Sequence, residues 1–205
     1  MRKAKYRVMI VGLLLVTGCS IPLYDRAAIV PGPTIGGGLS LSTGNWPSGH
    51  PDIWEGPVGL PYIGSYLSII GTFRVNYGIS ERIGLLLQPS LGAGQWRTDP
   101  PGSMLFYDIQ LGAKFRTSKH SALQTTLGYS CLLDLLYLHD FNQNLTGTAG
   151  VGFRGISLGL TAAAPLNRSL NLYLAGNIVS GWEWLKRANR PAASLGIGFG
   201  FRPGR

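Results

Sequence analysis

One stretch of the chain decides the fold: Leu105-Phe106-Tyr107-Asp108-Ile109-Gln110-Leu111-Gly112-Ala113-Lys114-Phe115-Arg116. Every second residue of it, from Leu105 to Phe115, is apolar. A repeat of two places successive side chains on opposite faces of a β-strand, whereas an amphipathic helix repeats every three to four residues. The same alternation continues along most of the chain after Thr34, so we expect an all-β, antiparallel fold.

The alternation also predicts the number of strands, and one position makes that number ambiguous. Besides the stretch above, strands are predicted at 34–42, 65–77, 82–95, 122 to about 137, 147–164, 170–178 and 194–201. Within 147–164 the apolar phase shifts at Arg154-Gly155, which predicts a β-bulge in one long strand and a total of eight. A tight turn at the same place would make two short strands and a total of nine, or ten if a further strand lies within Leu132 to Leu138.

The polar faces of these strands favour a membrane barrel over a soluble sandwich. They are rich in Gly, Ser, Thr, Asn and Gln, whereas a soluble domain covers its outer face with Lys and Glu. A narrow barrel interior needs small residues together with a few larger ones that close it. The larger residues predicted to fill the interior are Tyr66, Arg74, Arg82, Phe106, Asp108, Lys114, Arg116 and Tyr173.

The strand ends carry aromatic residues, and the connections alternate in length. One predicted rim holds Tyr77, Phe115 and Phe201, and the other holds Trp96, Tyr107, Tyr137 and Trp182. The short connections are 78–81, 117–121 and 167–169, and the long ones are 44–64, 95–103, 138–144 and 181–191. Since outer-membrane barrels have short periplasmic turns and long external loops, we expect the short set to face the periplasm.

Composition limits the possible classes of function. The 205 residues leave room for one domain, and only 13% of them are charged. The net charge is +9, but four of the positive charges lie in the first seven residues, and no basic run is interleaved with aromatics, so no nucleic-acid partner is expected. Cys19 and Cys131 are the two cysteines, and they predict neither a disulfide framework nor a metal site.

The N-terminus carries a signal for export. A basic start precedes the apolar run from Val8 to Val16, which is too short for a permanent membrane span. Val16-Thr17-Gly18-Cys19 resembles the lipobox of bacterial lipoproteins, which implies that the lipoprotein-processing machinery cleaves before Cys19 and attaches diacylglycerol and an N-acyl chain to it. The implied organisation is a signal peptide at 1–18, a flexible lipidated tether at 19–33 and an outer-membrane barrel at 34–202, with the N-terminus on the periplasmic side.

The last predicted strand resembles a second known signal. Ser194, Gly196, Phe199 and Phe201 match the polar, glycine, hydrophobic and aromatic positions of the C-terminal β-signal of outer-membrane proteins. The resemblance implies that the barrel assembly machinery reads this segment. The chain departs from the common pattern because it continues for four residues after Phe201.

The sequence predicts a place and an architecture rather than one activity. The loop residues expected to contact lipopolysaccharide, outer-membrane lipid or another surface partner are Trp46, Trp54, Trp182, Trp184, Lys186 and Arg187. The main expectation is a non-enzymatic barrel with a structural, envelope-integrity or surface-interaction role, and no catalytic, metal-binding or cofactor-binding residue is predicted. The alternatives are a lipid A-modifying enzyme, a narrow pore and a soluble lipid-anchored periplasmic β-domain.

The enzyme alternative depends on the histidines. Lipid A deacylases carry a His, one intervening residue and then a Ser, and no His of this chain has that spacing. His139 is expected in an external loop beside Asp140, and His120 precedes Ser121 in a predicted periplasmic turn. A turn on that side is far from the lipid of the outer leaflet, so non-enzymatic roles are favoured.

Overall fold

The computed structural model describes residues 22–45, 65–97, 102–128, 133–152, 155–180 and 192–203. These residues form ten β-strands and a short N-terminal segment. The strands are β1 (Gly32–Asn45), β2 (Ser65–Gly78), β3 (Ile83–Arg97), β4 (Gly102–Arg116), β5 (Ser121–Gly128), β6 (Asp134–Asn142), β7 (Leu145–Gly152), β8 (Gly155–Pro165), β9 (Leu170–Ser180) and β10 (Ala192–Phe201). The all-β prediction is confirmed, and the predicted total of eight strands is wrong.

The ten strands close into a barrel. Each strand pairs antiparallel with its neighbours in sequence, and β1 pairs with β10. The closing seam runs from Ile35 opposite Phe201 to Thr43 opposite Ala193. Because the sheet is closed, it has no edge strand whose backbone N–H and C=O groups lack partners. In a membrane, where water is excluded, these groups must bond to other strands.

The strand count exceeds eight because the chain reverses twice where long strands were expected. β7 pairs with β8 along its whole length, from Gly152 opposite Gly155 to Leu145 opposite Ala162, so the phase shift at Arg154-Gly155 marks a hairpin rather than a bulge. Gly155 has a φ of 129°, a backbone conformation that is accessible to glycine and strained for other residues. The expected fifth strand likewise divides into β5 and β6, which yields the ten-strand alternative.

The two ends of the barrel differ in their connections. We call the turn end the one that carries connections 79–82, 117–120, 143–144 and 166–169, and the loop end the opposite one. The chain enters β1 and leaves β10 at the turn end. Division of the fifth strand reverses the direction of β6, so Tyr137 and His139 lie near the turn end, where His139 pairs with Ser121. Their predicted placement at the external rim and in an external loop is therefore wrong.

The barrel wall is apolar outside and polar inside. Along β4, Leu105, Ile109 and Leu111 face outward with more than half of their surface exposed, whereas Asp108 and Gln110 face inward and are buried. So large an apolar exterior is stable in hydrocarbon and not in water, and the closed sheet is therefore an integral membrane barrel of the outer-membrane type. No helix in the described residues is long and apolar enough to cross a membrane.

Candidate functional site

Residues 22–30, which we call the plug segment, lie inside the barrel. Leu23 accepts a hydrogen bond through its carbonyl oxygen from Thr161 Oγ1 of β8, at 2.6 Å. The Ala27 amide donates to Asp140 Oδ1 of β6, at 3.0 Å, and Asp25 pairs with Arg74 of β2. A segment that contacts inward-facing side chains on such separate parts of the wall must occupy the lumen. The prediction of a flexible tether is therefore wrong for these residues.

Glycines of the closing seam make room for Tyr24. The Tyr24 ring is 4% exposed and lies over Gly38, Gly196 and Gly198 of β1 and β10. A Cβ atom at Gly38 or Gly198 would lie 2.6 Å from a carbon of that ring, which is closer than such atoms approach. The Tyr24 hydroxyl donates to the Leu39 carbonyl oxygen at 3.0 Å. The seam is therefore built to hold an aromatic ring against its inner face.

Asp25 is the charged centre of the plug segment. Its Oδ2 atom pairs with Arg74 Nη2 at 2.7 Å and with Lys114 Nζ. Both cations are almost fully buried, with 1% and 8% of their side-chain surface exposed. Lys114 Nζ also donates to the Arg26 carbonyl oxygen at 2.7 Å. One carboxylate oxygen thus lies between two buried positive charges from two strands.

The electrostatic environment keeps Asp25 ionised. Asp25 lies outside the membrane-spanning strands, and burial by itself would raise the pKa of its carboxyl group. The neighbouring charges of Lys114 and Arg74 outweigh burial and hold that pKa below its ordinary value. The ion pairs are therefore formed at neutral pH.

Arg74 is held in place by the wall as well as by the plug segment. Its Nη2 atom donates to Gln124 Oε1 at 2.8 Å, and its Nη1 atom donates to Gln88 Oε1 at 3.3 Å. Its Nε atom donates to Asn76 Oδ1 at 2.9 Å. These three neutral acceptors orient the guanidinium group without neutralising it. Its charge is balanced by Asp25, which belongs to the plug segment.

A second set of contacts holds the plug segment against β5 and β6. Asp140 Oδ1 accepts from Thr146 Oγ1 at 2.6 Å as well as from the Ala27 amide, and Asp140 Oδ2 lies 3.5 Å from Arg26 Nη2. The Ala27 side chain is buried in a small cluster with Ala122 and Leu138. Two acidic side chains, one on the plug segment and one on the wall, therefore join the two parts.

Cavities remain on both sides of the plug segment. The cavity at the turn end has a volume of about 440 Å³, a size typical of small-molecule sites. Five cationic residues and one acidic residue contribute to its lining: Arg26, Arg74, Lys114, Arg168, Arg202 and Asp25. The cavity toward the loop end has only about 80 Å³ and is lined by Pro22 and by wall residues that include Gln88 and Gln110. The larger, strongly basic cavity is the candidate functional site.

The structure places part of the predicted interior in the lumen. Arg74, Asp108, Lys114 and Tyr173 are buried there, as predicted. Arg82 lies exposed in the turn before β3, and its predicted interior position is wrong. Arg116 lies at the turn end, where its Nη1 atom is 3.7 Å from Glu81. The side chains of Tyr66 and Phe106 lie outside the described residues.

The residues of the predicted β-signal lie on β10, the strand that closes the barrel with β1. Gly196 faces the lumen beneath Tyr24, and Phe199 and Phe201 face outward with 43% and 41% of their surface exposed. Recognition by the assembly machinery stays a prediction. The residue predicted to be lipidated and the residues predicted to make loop contacts lie outside the described residues: Cys19, Trp46, Trp54, Trp182, Trp184, Lys186 and Arg187.

A Ser–His pair lies on the outer face near the turn end. Ser121 Oγ lies 2.8 Å from His139 Nδ1, and the Tyr137 hydroxyl donates to Ser121 Oγ at 2.8 Å. A hydrolytic triad also needs a carboxylate that orients the imidazole. Asp140, the neighbour of His139 in sequence, points into the lumen and bonds Ala27 and Thr146 there. The described residues supply no carboxylate partner for His139.

The sequence does not predict Tyr24 and Asp25 as site residues. Their segment, 23–30, precedes the alternating pattern and is therefore predicted to be part of a tether. One signal was present: flexible linkers are rich in Gly and Ser, whereas this segment contains neither and is mostly apolar. Among the described residues, no three His, Cys, Asp or Glu side chains form a group that could hold a metal ion.

No family model matches the chain, and no curated protein matches it. Among solved structures, the chain is similar to an outer membrane channel from Pseudomonas putida F1, with 15% identity, a TM-score of 0.47 and coverage of 89% of this chain and 99% of that chain. It is also similar to the translocator domain of the autotransporter NalP from Neisseria meningitidis, with 9% identity, a TM-score of 0.45 and coverage of 98% and 95%. A third similar structure is the KdgM porin in complex with disordered oligogalacturonate, with 11% identity, a TM-score of 0.38 and coverage of 83% and 99%. Similarity at this level carries no functional assignment.

Proposed function

We propose that this chain is an outer-membrane channel that its own N-terminal segment holds closed. The observation that carries the proposal is the position of the plug segment, which crosses the lumen and separates the cavity at the turn end from the one at the loop end. Without that segment, the lumen would be continuous past Arg74 and Lys114. The narrow pore among the sequence-based alternatives is therefore favoured over a purely structural barrel.

The polarity of the lumen supports a water-filled path. The interiors of outer-membrane barrels are polar, and they are water-filled in porins and plugged by loops or a helix in others. Here the middle of the lumen carries Gln88, Gln110 and Gln124 on three adjacent strands, together with Arg74. These groups can be hydrated by water as readily as they are bonded to each other. The wall therefore tolerates loss of the plug segment.

The contacts of the plug segment support reversible closure. The buried apolar side chains of the segment are Pro22, Tyr24, Ala27 and Ile29, and its other contacts are polar and involve Asp25 and Asp140. Polar partners exchange for water with a small net change in free energy, whereas a large apolar interface would not. The plug segment contributes no strand to the barrel, since each of the ten strands is paired with two other strands of the closed sheet.

Other elements of the proposal come from the sequence. We also propose that Cys19 is lipidated and that the role is non-enzymatic. We further propose that the turn end faces the periplasm, because short turns face the periplasm in outer-membrane barrels. The basic cavity would then open toward the periplasm. External loops that contact lipopolysaccharide are compatible with a channel, because they lie at the other end.

Current through planar bilayers tests the proposal with two neighbouring substitutions. Ala27→Asp puts a carboxylate into the cluster with Ala122 and Leu138, beside Asp140, and should expel the plug segment without altering Arg74 or Lys114. Ala28→Asp adds the same charge at an exposed position of the same segment and serves as the control.

We expect the wild-type protein and Ala28→Asp to be closed for most of the recording and Ala27→Asp to conduct steadily. Heat-dependent migration on gels confirms that each variant forms a barrel. If Ala27→Asp forms a barrel and passes no current, the chain is not a channel.

A further inference from the structure

We infer that Arg74 and Lys114 form a binding site for small carboxylate solutes, and that Asp25 occupies this site in the closed state as a tethered substitute for the solute. The inference rests on the proposed function, because it names the class of solute that would enter the channel. Its starting point is that a carboxylate already lies between the two cations.

The charge of the site favours an anion. Arg74 and Lys114 come from β2 and β4, and both are buried in the wall around the same Asp25 oxygen. Two buried cations that share one carboxylate oxygen leave a positive site when that carboxylate moves away. Anions enter a confined site of this kind far more readily than cations, because low-dielectric walls focus its field.

The geometry of the site suits a carboxylate group. The wall fixes the guanidinium group of Arg74 through Gln88, Gln124 and Asn76, so that it keeps its orientation when the plug segment leaves. An oriented guanidinium group and a neighbouring ammonium group bind a carboxylate through charge-assisted hydrogen bonds. The site is thus preorganised for the chemical group that Asp25 supplies.

Solutes can reach the site from the turn end. The cavity of about 440 Å³ at the turn end reaches Arg74, Lys114 and Asp25, and its other charged lining residues are all cationic: Arg26, Arg168 and Arg202. A small carboxylate can therefore approach the occupied site from this side through basic surroundings. Asp25 is part of the plug segment, so a solute that replaces it also weakens closure.

Binding is tested by calorimetry on the full chain in detergent, with succinate as the probe. Asp25→Asn vacates the site and should bind succinate roughly tenfold or more tightly than the wild type, because a tethered competitor acts at a millimolar or higher effective concentration. Asp25→Asn combined with Lys114→Gln should lose this binding. Asp25→Asn combined with Arg82→Gln removes an exposed charge at the turn end instead and should retain it.

Two outcomes of the calorimetry overturn the inference. The first is that the wild type and Asp25→Asn bind succinate with equal affinity. The second is that adding Lys114→Gln or Arg82→Gln to Asp25→Asn lowers the succinate affinity equally, which would mean that binding depends only on the charge of the surface. In bilayers, the Ala27→Asp channel should prefer anions, and millimolar succinate should reduce its chloride current. If the Ala27→Asp channel conducts without preference for anions, the carboxylate site is refuted and the proposed channel is not. If succinate binds and no variant conducts, the proposed channel is refuted and the carboxylate site is not.

Discussion

Replacement of Asp25 by Asn measures how firmly the plug segment is docked. The substitution keeps the shape of the side chain and removes its charge, so Arg74 and Lys114 lose the carboxylate oxygen that they share. Removal of one partner from a buried ion pair costs about 3–5 kcal/mol. We expect about 2–3 kcal/mol here, because Asp25 keeps 14% of its side-chain surface exposed and Arg74 retains three wall acceptors.

A loss of this size shifts the equilibrium between docked and undocked plug segment roughly 30- to 150-fold. Hydrogen exchange at the Ala27 amide reports that equilibrium directly, since this amide donates to Asp140 only when the segment is docked. We expect its protection to fall by the same factor in Asp25→Asn, while the Leu111 amide in the β4 ladder keeps its protection. Asp25→Glu retains the charge and serves as the control.

Equal exchange of the Ala27 amide in the wild type and in Asp25→Asn would refute this reasoning. It would mean that Asp25 contributes nothing to docking and that the Tyr24 and Asp140 contacts hold the plug segment alone. Equal loss of protection at Ala27 and at Leu111 would instead indicate that the barrel itself is destabilised.

Three further predictions concern docking in acid, the fit of Tyr24 to the seam and lipidation of Cys19. Docking of the plug segment should weaken in acid. The pKa of Asp25 is lower in the docked state than its ordinary value of 3.8, so the charge of Asp25 stabilises docking fully above that value, and this stabilisation is lost as the pH falls through the lower docked pKa. Hydrogen exchange measured against pH should show this loss in the wild type and not in Asp25→Asn. Gly198→Ala puts a Cβ against both the Gly37 carbonyl oxygen and the Tyr24 ring and should lower the temperature at which the barrel loses its compact migration on gels, whereas Gly71→Ala should not, because a Cβ there meets its nearest atom at an ordinary 3.5 Å. Adding Tyr24→Ala to Gly198→Ala should recover part of the loss, and no recovery would contradict the fit of Tyr24 to the seam. Metabolic labelling with palmitate should mark the wild type and not Cys19→Ala, and equal labelling of the two would contradict lipidation at that residue.

The polarity of the barrel wall could be predicted from local sequence. Alternation along β4 placed Leu105 and Ile109 on one face and Asp108 and Lys114 on the other, and the structure confirms both faces. It could be predicted because the direction of a side chain on a strand depends only on its position in a repeat of two. The choice of membrane over water as the surroundings followed from the small, uncharged polar face.

The number of strands could not be predicted in the same way. At Arg154-Gly155 a bulge and a hairpin both invert the phase of the alternation, so local sequence is compatible with either. Pairing decides between them: β7 and β8 pair with each other from Gly152 and Gly155 onward, which a bulged single strand cannot do. The earlier reversal between β5 and β6 explains why His139 was predicted at the wrong end of the barrel, because one missed reversal exchanges the ends for the residues that follow it.

The sequence by itself therefore determined the class of fold and the two faces of its wall, because these depend on neighbours one or two residues apart. Only the tertiary structure decided how many strands close the barrel and what occupies its lumen. Asp25 meets Arg74 and Lys114 from 49 and 89 residues away, and no local pattern records such a contact. The fold itself brings these charges together, because closure of the barrel places β2 and β4 around a lumen that the N-terminal segment enters.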